Sequence, residues 1–145
     1  MGNPKSNTVP RWKILEFPFF SDERGETVPF ELDNRFPFPV KRVYIITGTS
    51  EETRGGHAHT CEEEVFVAVS GSVTAVLHDG KREQEVVLNE KNKGLYVSAL
   101  CWHEFKNFSS DAVMLCFSST HFAGRGEYIE NKKKFIADTA PCRLG

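Results

Sequence analysis

Apolar and polar positions alternate through most of this 145-residue chain. In "EVFVAVSG", Val65, Val67 and Val69 share one parity. Successive strand residues point to opposite faces, so the three valines project together from an extended segment. "VKRVYIIT" (Val40–Thr47) is rich in β-branched and aromatic residues, which favour strands. "SVTAVLHDG", "KREQEVVL", "GLYVSAL", "WHEFKNF" and "AVMLCFSS" follow at short, regular spacing. Gly71-Ser72 and Asp79-Gly80 punctuate these runs, and Asp-Gly between strands is a strong hairpin signal. The pattern predicts an all-β sandwich or barrel. Helical spacing occurs only in "EYIENKKKFIADTA", through Tyr128, Ile129, Phe135 and Ile136, and fits a short strand and turn equally. Pro29, Pro37 and Pro39 break the region before Val40 into loops and edge strands.

Composition narrows the class. The length suits one domain, with a polar, flexible N-terminus over residues 1–10 and the folded unit over 11–145. Hydrophobic residues at 39% and charged residues at 26% support a packed core. A net charge of −2 points away from nucleic acid and from anionic membranes. No apolar run reaches the roughly 18 residues of a membrane span. The start "MGNPKSNTVPRWK" lacks an apolar signal core, so a cytoplasmic location is expected. Cys61, Cys101, Cys116 and Cys142 form no C-x-x-C pair. Structural zinc is therefore not expected, and in a reducing compartment all four read as free thiols. Phe17, Phe19, Phe20, Phe30, Phe36 and Phe38 crowd the early chain. They are expected in the core and at a subunit interface, with an aromatic slot for a planar ligand as the sharper alternative.

Candidate chemistry concentrates in "RGGHAHTCEEE". His57 and His59 stand at i and i+2, on one side of an extended segment. Glu64 lies five residues beyond His59, and His103 arrives on a later strand, followed at a spacing of four by Asn107. Imidazole and carboxylate together suit Fe, Mn, Ni or Zn. Imidazole alone suits proton transfer, because its pKa of about 6.5 is near neutrality. A metal would occupy the histidines and prevent them from acting as free bases.

The spacing H-x-H-x4-E-x6-G, from His57 through Glu64 to Gly71, resembles the first motif of the cupin superfamily. His103 and Asn107 reproduce the H-x3-N that closes its second motif. Glu51 stands where a glycine is usual, and "SALCW" replaces the P-x-G ahead of the second histidine. The resemblance implies a single-domain double-stranded β-helix, the jelly-roll barrel. A narrower likeness is carried by "DERGETVPFE", "VKRVYII", "RGGHAH", "GSVTAVLHDG", "NKGLYVSALCWHEFKNFSSDAVMLCFSS" and "EYIENKKKF", in that order. Over roughly residues 12 to 136 the chain resembles the sugar 3,4-ketoisomerases, cupin-fold enzymes that act on thymidine-diphosphate-linked 4-keto-6-deoxyglucose.

That resemblance implies an isomerase without cofactor or metal, working as a homodimer on the way to 3-amino-3,6-dideoxy sugars of surface glycans. It implies His57 as the base at carbon, His59 as its partner at oxygen, and Tyr44 assisting proton transfer. Arg54 would clamp the diphosphate or sugar, since guanidinium forks suit phosphate oxygens. Trp102 and His103 would line the pocket, and Arg24 would contact the ligand. Three positions depart from the family pattern: Thr60 replaces a lysine, Glu64 a glutamine, and Ala99 stands near a missing proline. Glu64 completes a cupin-like set of His57, His59, Glu64 and His103. A metal-dependent cupin enzyme using a divalent ion is therefore the alternative, followed by a non-catalytic sugar-nucleotide-binding cupin.

Overall fold

The alternating pattern becomes twelve strands and one short helix in the computed structural model, which describes residues 11–122 and 127–137. The strands are β1 (Trp12–Glu16), β2 (Phe20–Asp22), β3 (Gly25–Thr27), β4 (Arg42–Ile46), β5 (Arg54–His59) and β6 (Glu64–Ser70). Next come β7 (Val73–His78), β8 (Glu83–Leu88), β9 (Lys93–Val97), β10 (Trp102–Lys106), β11 (Val113–Ser118) and β12 (Tyr128–Ile129), and the helix is α1 (Lys132–Ala137). One five-stranded sheet runs β1-β9-β6-β11-β4, and the other β12-β5-β10-β7-β8. Every pairing is antiparallel. This is the all-β architecture that the sequence pattern predicts, in the cupin-like form that the resemblance implies. No helix among the described residues is long and apolar enough to cross a membrane.

The core lies between the two sheets. Phe66, Ala68, Leu95, Val97, Met114 and Cys116 enter it from the first sheet, and Val73, Ala75, Leu77, Cys101 and Phe105 from the second. Phe66 and Phe105 are almost fully buried, and each contributes about 1.5–3 kcal/mol by leaving water. Val65, Val67 and Val69 do share a face, the outer one of the first sheet. That face is roofed by Phe17, Phe30, Phe36 and Phe38. Four of the six early phenylalanines thus pack as core, whereas Phe19 and Phe20 remain exposed.

The C-terminal ambiguity resolves into both alternatives. Tyr128 and Ile129 form an edge strand on β5, and the chain then turns into α1. Asn131 caps that helix, its side-chain oxygen accepting from the backbone N–H of Lys134 at 3.0 Å. Phe135 of α1 packs with Trp102 and Ala58 on the outer face of the second sheet. Cys101 and Cys116 are buried free thiols, as read from the sequence. Cys61 is disulfide-bonded, which corrects the expectation of four free thiols. Cys142 and the flexible N-terminus expected over residues 1–10 lie outside the described residues.

Candidate active site

The histidine pair is placed by a bulge. His103 of β10 faces His57 of β5, but Glu104 faces Gly55, so Gly56 is an extra residue in the ladder. Gly55 and Gly56 have φ of +79° and +78°, left-handed values that side chains rarely adopt. A Cβ on Gly55 would also sit 3.0 Å from the His103 carbonyl oxygen. "RGG" is therefore part of β5, and its glycines set where His57 and His59 point.

Both histidines point inward, as their spacing predicts, and meet His103. The His57 ring lies 4.8 Å from that of His59 and 4.9 Å from that of His103, edge to face in both cases. Tyr128 lies flat against His57, with centroids 4.6 Å apart and planes 10° from parallel. These groups line a cleft of about 300 Å³ together with Arg42, Tyr44, Arg54, Phe66, Phe105 and Phe122. That volume is at the lower end for small-molecule sites.

Three carboxylates surround His59, which is 3% exposed. Its Nδ1 is 2.8 Å from Glu127 Oε2 and 2.9 Å from Glu62 Oε2. Its Nε2 is 2.8 Å from Glu64 Oε1, an ion-pair contact without hydrogen-bond alignment. Burial alone would lower the His59 pKa, but the carboxylates outweigh it and push it up to about 12. These surroundings favour the imidazolium form of His59. His57 goes the other way, down to about 4, through burial and then the charge on His59. His103 is driven well below the usual range by burial and by the two neighbouring histidines, and its Nδ1–H donates to the Cys101 carbonyl at 3.1 Å. The cluster thus holds one fixed cation beside two neutral rings. His57, in the cleft with a free lone pair at neutral pH, is competent as a base.

Tyr44 donates its hydroxyl to Glu64 Oε2. Burial, and then the Glu64 charge, raise its pKa above the usual phenol range, so it is a neutral hydroxyl. Glu62 accepts from Arg42 at 2.5 Å and from the Ser118 hydroxyl. Burial would raise the Glu62 pKa, yet His59, Ser118 and Arg42 hold it down at about 2. Arg42 in turn spans the Tyr44 and Phe122 rings at 5.1 and 5.7 Å.

The expected residues do not all converge. His57, His59, His103, Tyr44 and Arg54 line the one cleft, Arg54 from its exposed rim. Trp102 points out of the opposite face of β10, onto Phe135, and donates its indole N–H to Glu104 at 2.7 Å. Arg24 lies on the exposed β2–β3 hairpin, paired with Asp22 at 2.6 Å and outside the cleft. Asn107 sits just after β10 with φ +53°, a turn position that asparagine tolerates. Arg42, Glu62, Phe122, Glu127 and Tyr128 belong to the site and were not singled out from the sequence. The parity of Arg42 with Tyr44 on one strand was a usable signal; Glu127 and Tyr128 open the family-like "EYIENKKKF", but their distance of more than 60 residues from the histidine pair hid their place in the site.

Two groups of side chains come close enough to share a divalent ion. Ring nitrogens of His57, His59 and His103 lie within 4.8 Å of one another. So do ligand atoms of His59, Glu62 and Glu64, but these are already engaged: His59 Nδ1 by Glu127, Glu62 by Arg42 and Ser118, and Glu64 by Tyr44.

Residues 10–140 match the family described as FdtA: WxcM-like, C-terminal. The chain belongs to the FdtA family. A TDP-4-oxo-6-deoxy-α-D-glucose-3,4-oxoisomerase of Aneurinibacillus thermoaerophilus is 42% identical over 129 residues, covering 86% of this chain and 92% of that protein. Among solved structures, a 3,4-ketoisomerase from Helicobacter canadensis is 35% identical with a TM-score of 0.81, covering 87% of this chain and 95% of that one. A sugar 3,4-ketoisomerase from Thermoanaerobacterium thermosaccharolyticum, solved in complex with TDP, is 30% identical with a TM-score of 0.83, covering 89% and 94%. The FdtA family assignment thus agrees with the isomerase resemblance read from the motifs.

Proposed function

We propose that this chain is a sugar-nucleotide isomerase that converts TDP-4-keto-6-deoxyglucose into its 3-keto isomer, a step of deoxysugar biosynthesis in the cytoplasm. The observation that carries the reading is the neutral His57 in the cleft of a chain 42% identical to an oxoisomerase of that name. The C3–H bond is acidified by the adjacent C4 carbonyl. His57 takes the C3 proton, and the C3–H electron pair forms the C3=C4 double bond while the carbonyl electrons move to O4. The imidazolium of His59 stabilises the enediolate charge without itself losing a proton. O4 is protonated, O3 loses its proton and becomes the carbonyl, and His57 returns its proton to C4. Tyr44, oriented by its hydrogen bond to Glu64, gives its hydroxyl proton to O4 and takes one back from O3. Arg54 and Arg42, at the cleft, take the diphosphate.

The partner is a second copy of the chain. Val43 and Ile45 face outward from the edge strand β4 at 50% and 64% exposure, and Phe20 is 62% exposed on a hairpin whose strands pair only with each other. Such apolar surface favours a homodimer, and sedimentation equilibrium tests it. The function is tested by incubation with TDP-4-keto-6-deoxyglucose. Migration of the carbonyl from C4 to C3 supports it; ligand binding without turnover contradicts it.

A further inference from the structure

Glu127 ties the short strand β12 to the turn that follows His59. Its Oε1 accepts from the backbone N–H groups of Cys61 and Glu62, both at 2.9 Å. Its Oε2 accepts from His59 Nδ1 at 2.8 Å. One carboxylate therefore makes three contacts across a separation of more than 60 residues. The next residue, Tyr128, faces His59 in the β-ladder and lays its ring parallel to His57 at 4.6 Å. The same ring meets His59 edge-on at 4.6 Å. His57 is thus boxed, with Tyr128 along one face and His59 and His103 at right angles to it. Nothing else among the described residues lies parallel to it.

We propose that Glu127 and Tyr128 act together as positioning residues: the carboxylate pins β12 over β5, and the pinned tyrosine ring sets the plane in which His57 meets the substrate. The χ2 of an imidazole is broad, its backbone hydrogen bond to Gly55 leaves the ring room to tilt, and a base turned out of line loses its reach to the carbon-bound proton. A flat aromatic wall removes that freedom. The ring, and not the phenol hydroxyl, is what the geometry requires of Tyr128.

The inference rests on the isomerase reading, and the test has one arm that does not. Four variants are compared with the parent: Tyr128→Phe, Tyr128→Leu, Glu127→Gln and Glu127→Ala. In ¹H–¹³C spectra of the histidine Cε1–H groups, the His57 signal is identified by its loss in His57→Asn. Ring-current shielding by Tyr128 should vanish in Tyr128→Leu and in Glu127→Ala. It should persist in Tyr128→Phe, and in Glu127→Gln, whose amide oxygen still accepts from the two backbone N–H groups. With TDP-4-keto-6-deoxyglucose as substrate, kcat should drop about 10- to 100-fold in Tyr128→Leu and Glu127→Ala. KM should stay within about threefold, and Tyr128→Phe should restore kcat. Should Tyr128→Leu fail to fold, Glu127→Ala against Glu127→Gln carries the same comparison. An unmoved His57 signal with unchanged kcat in Tyr128→Leu and Glu127→Ala overturns the proposal. A Tyr128→Phe variant as slow as Tyr128→Leu also overturns it, since the hydroxyl would then be the active part. A parent protein inert toward the sugar nucleotide would fail the isomerase reading alone, and the spectra would still judge the positioning.

Discussion

His59 and Glu64 stand 2.8 Å apart, nitrogen to oxygen, and both are almost completely buried. The pair converts a motif that looks like a metal centre into a fixed cation and its counter-ion. Tyr44 bonds the second Glu64 oxygen, so the carboxylate also serves the group nearest to it in the cleft.

Glu64→Gln should be tolerated. The amide oxygen still accepts from Tyr44, while Glu62 and Glu127 keep His59 charged. We expect kcat to change by no more than about tenfold, the worth of one net hydrogen bond of about 0.5–1.5 kcal/mol. Loss of all activity together with loss of a bound metal would support the divalent-ion alternative instead.

The pH profile separates His57 from an ordinary histidine. With its pKa lowered to about 4, the base is unprotonated throughout the neutral range. The value of kcat/KM should stay level from pH 8 downward and fall only as pH drops through about 4. A limb near 6.5, the usual histidine value, would contradict the assignment.

Stability should decline on both sides of neutrality. His59 has a folded pKa raised from 6.5 to about 12, so its contribution is complete below 6.5 and is lost as pH rises toward 12. Glu62 has a folded pKa lowered from 4.5 to about 2, so its contribution holds above 4.5 and is lost as pH falls toward 2. Melting temperatures from pH 3 to 11 check this; a curve flat between 7 and 11 would contradict the alkaline limb.

Trp102 is a packing residue in this fold, not a wall of the cleft. Trp102→Ala should cost about 3–5 kcal/mol in urea denaturation, the usual cost of emptying a large aromatic site. KM for the sugar nucleotide should hardly move. A raised KM without loss of stability would return Trp102 to the binding site.

Gly55→Ala tests the bulge. With φ +79° and the His103 carbonyl 3.0 Å from the new Cβ, the substitution should destabilise by more than about 1 kcal/mol. It should also lower kcat by displacing His57. An unchanged enzyme would show that β5 tolerates a regular register.

The strands were legible because their runs are short, β-branched and bounded by turn residues; in β6 both faces are buried, so Val65 to Val69 is apolar throughout. His57 and His59 were legible from parity, which puts both on one face of the strand, whereas Tyr44 came from the family resemblance. The motif reading failed to aim Trp102 and Arg24 into the cleft. Trp102 is adjacent to His103 in sequence, and adjacency in a strand means opposite faces. Glu127 and Tyr128 reach the site through a tertiary turn that no local pattern encodes. The charge on His59 was equally hidden, because it depends on carboxylates from two distant stretches, one holding Glu62 and Glu64 and the other Glu127.

The most direct test is deuterium exchange with TDP-4-keto-6-deoxyglucose in deuterium oxide, run on the parent and on His57→Asn, each with and without a chelator. The account predicts deuterium on the ring carbon and a carbonyl moved from C4 to C3 in the parent, untouched by chelator. It predicts a folded His57→Asn slower by at least about 100-fold. No exchange in the parent, abolition by chelator, or full exchange in His57→Asn would contradict it.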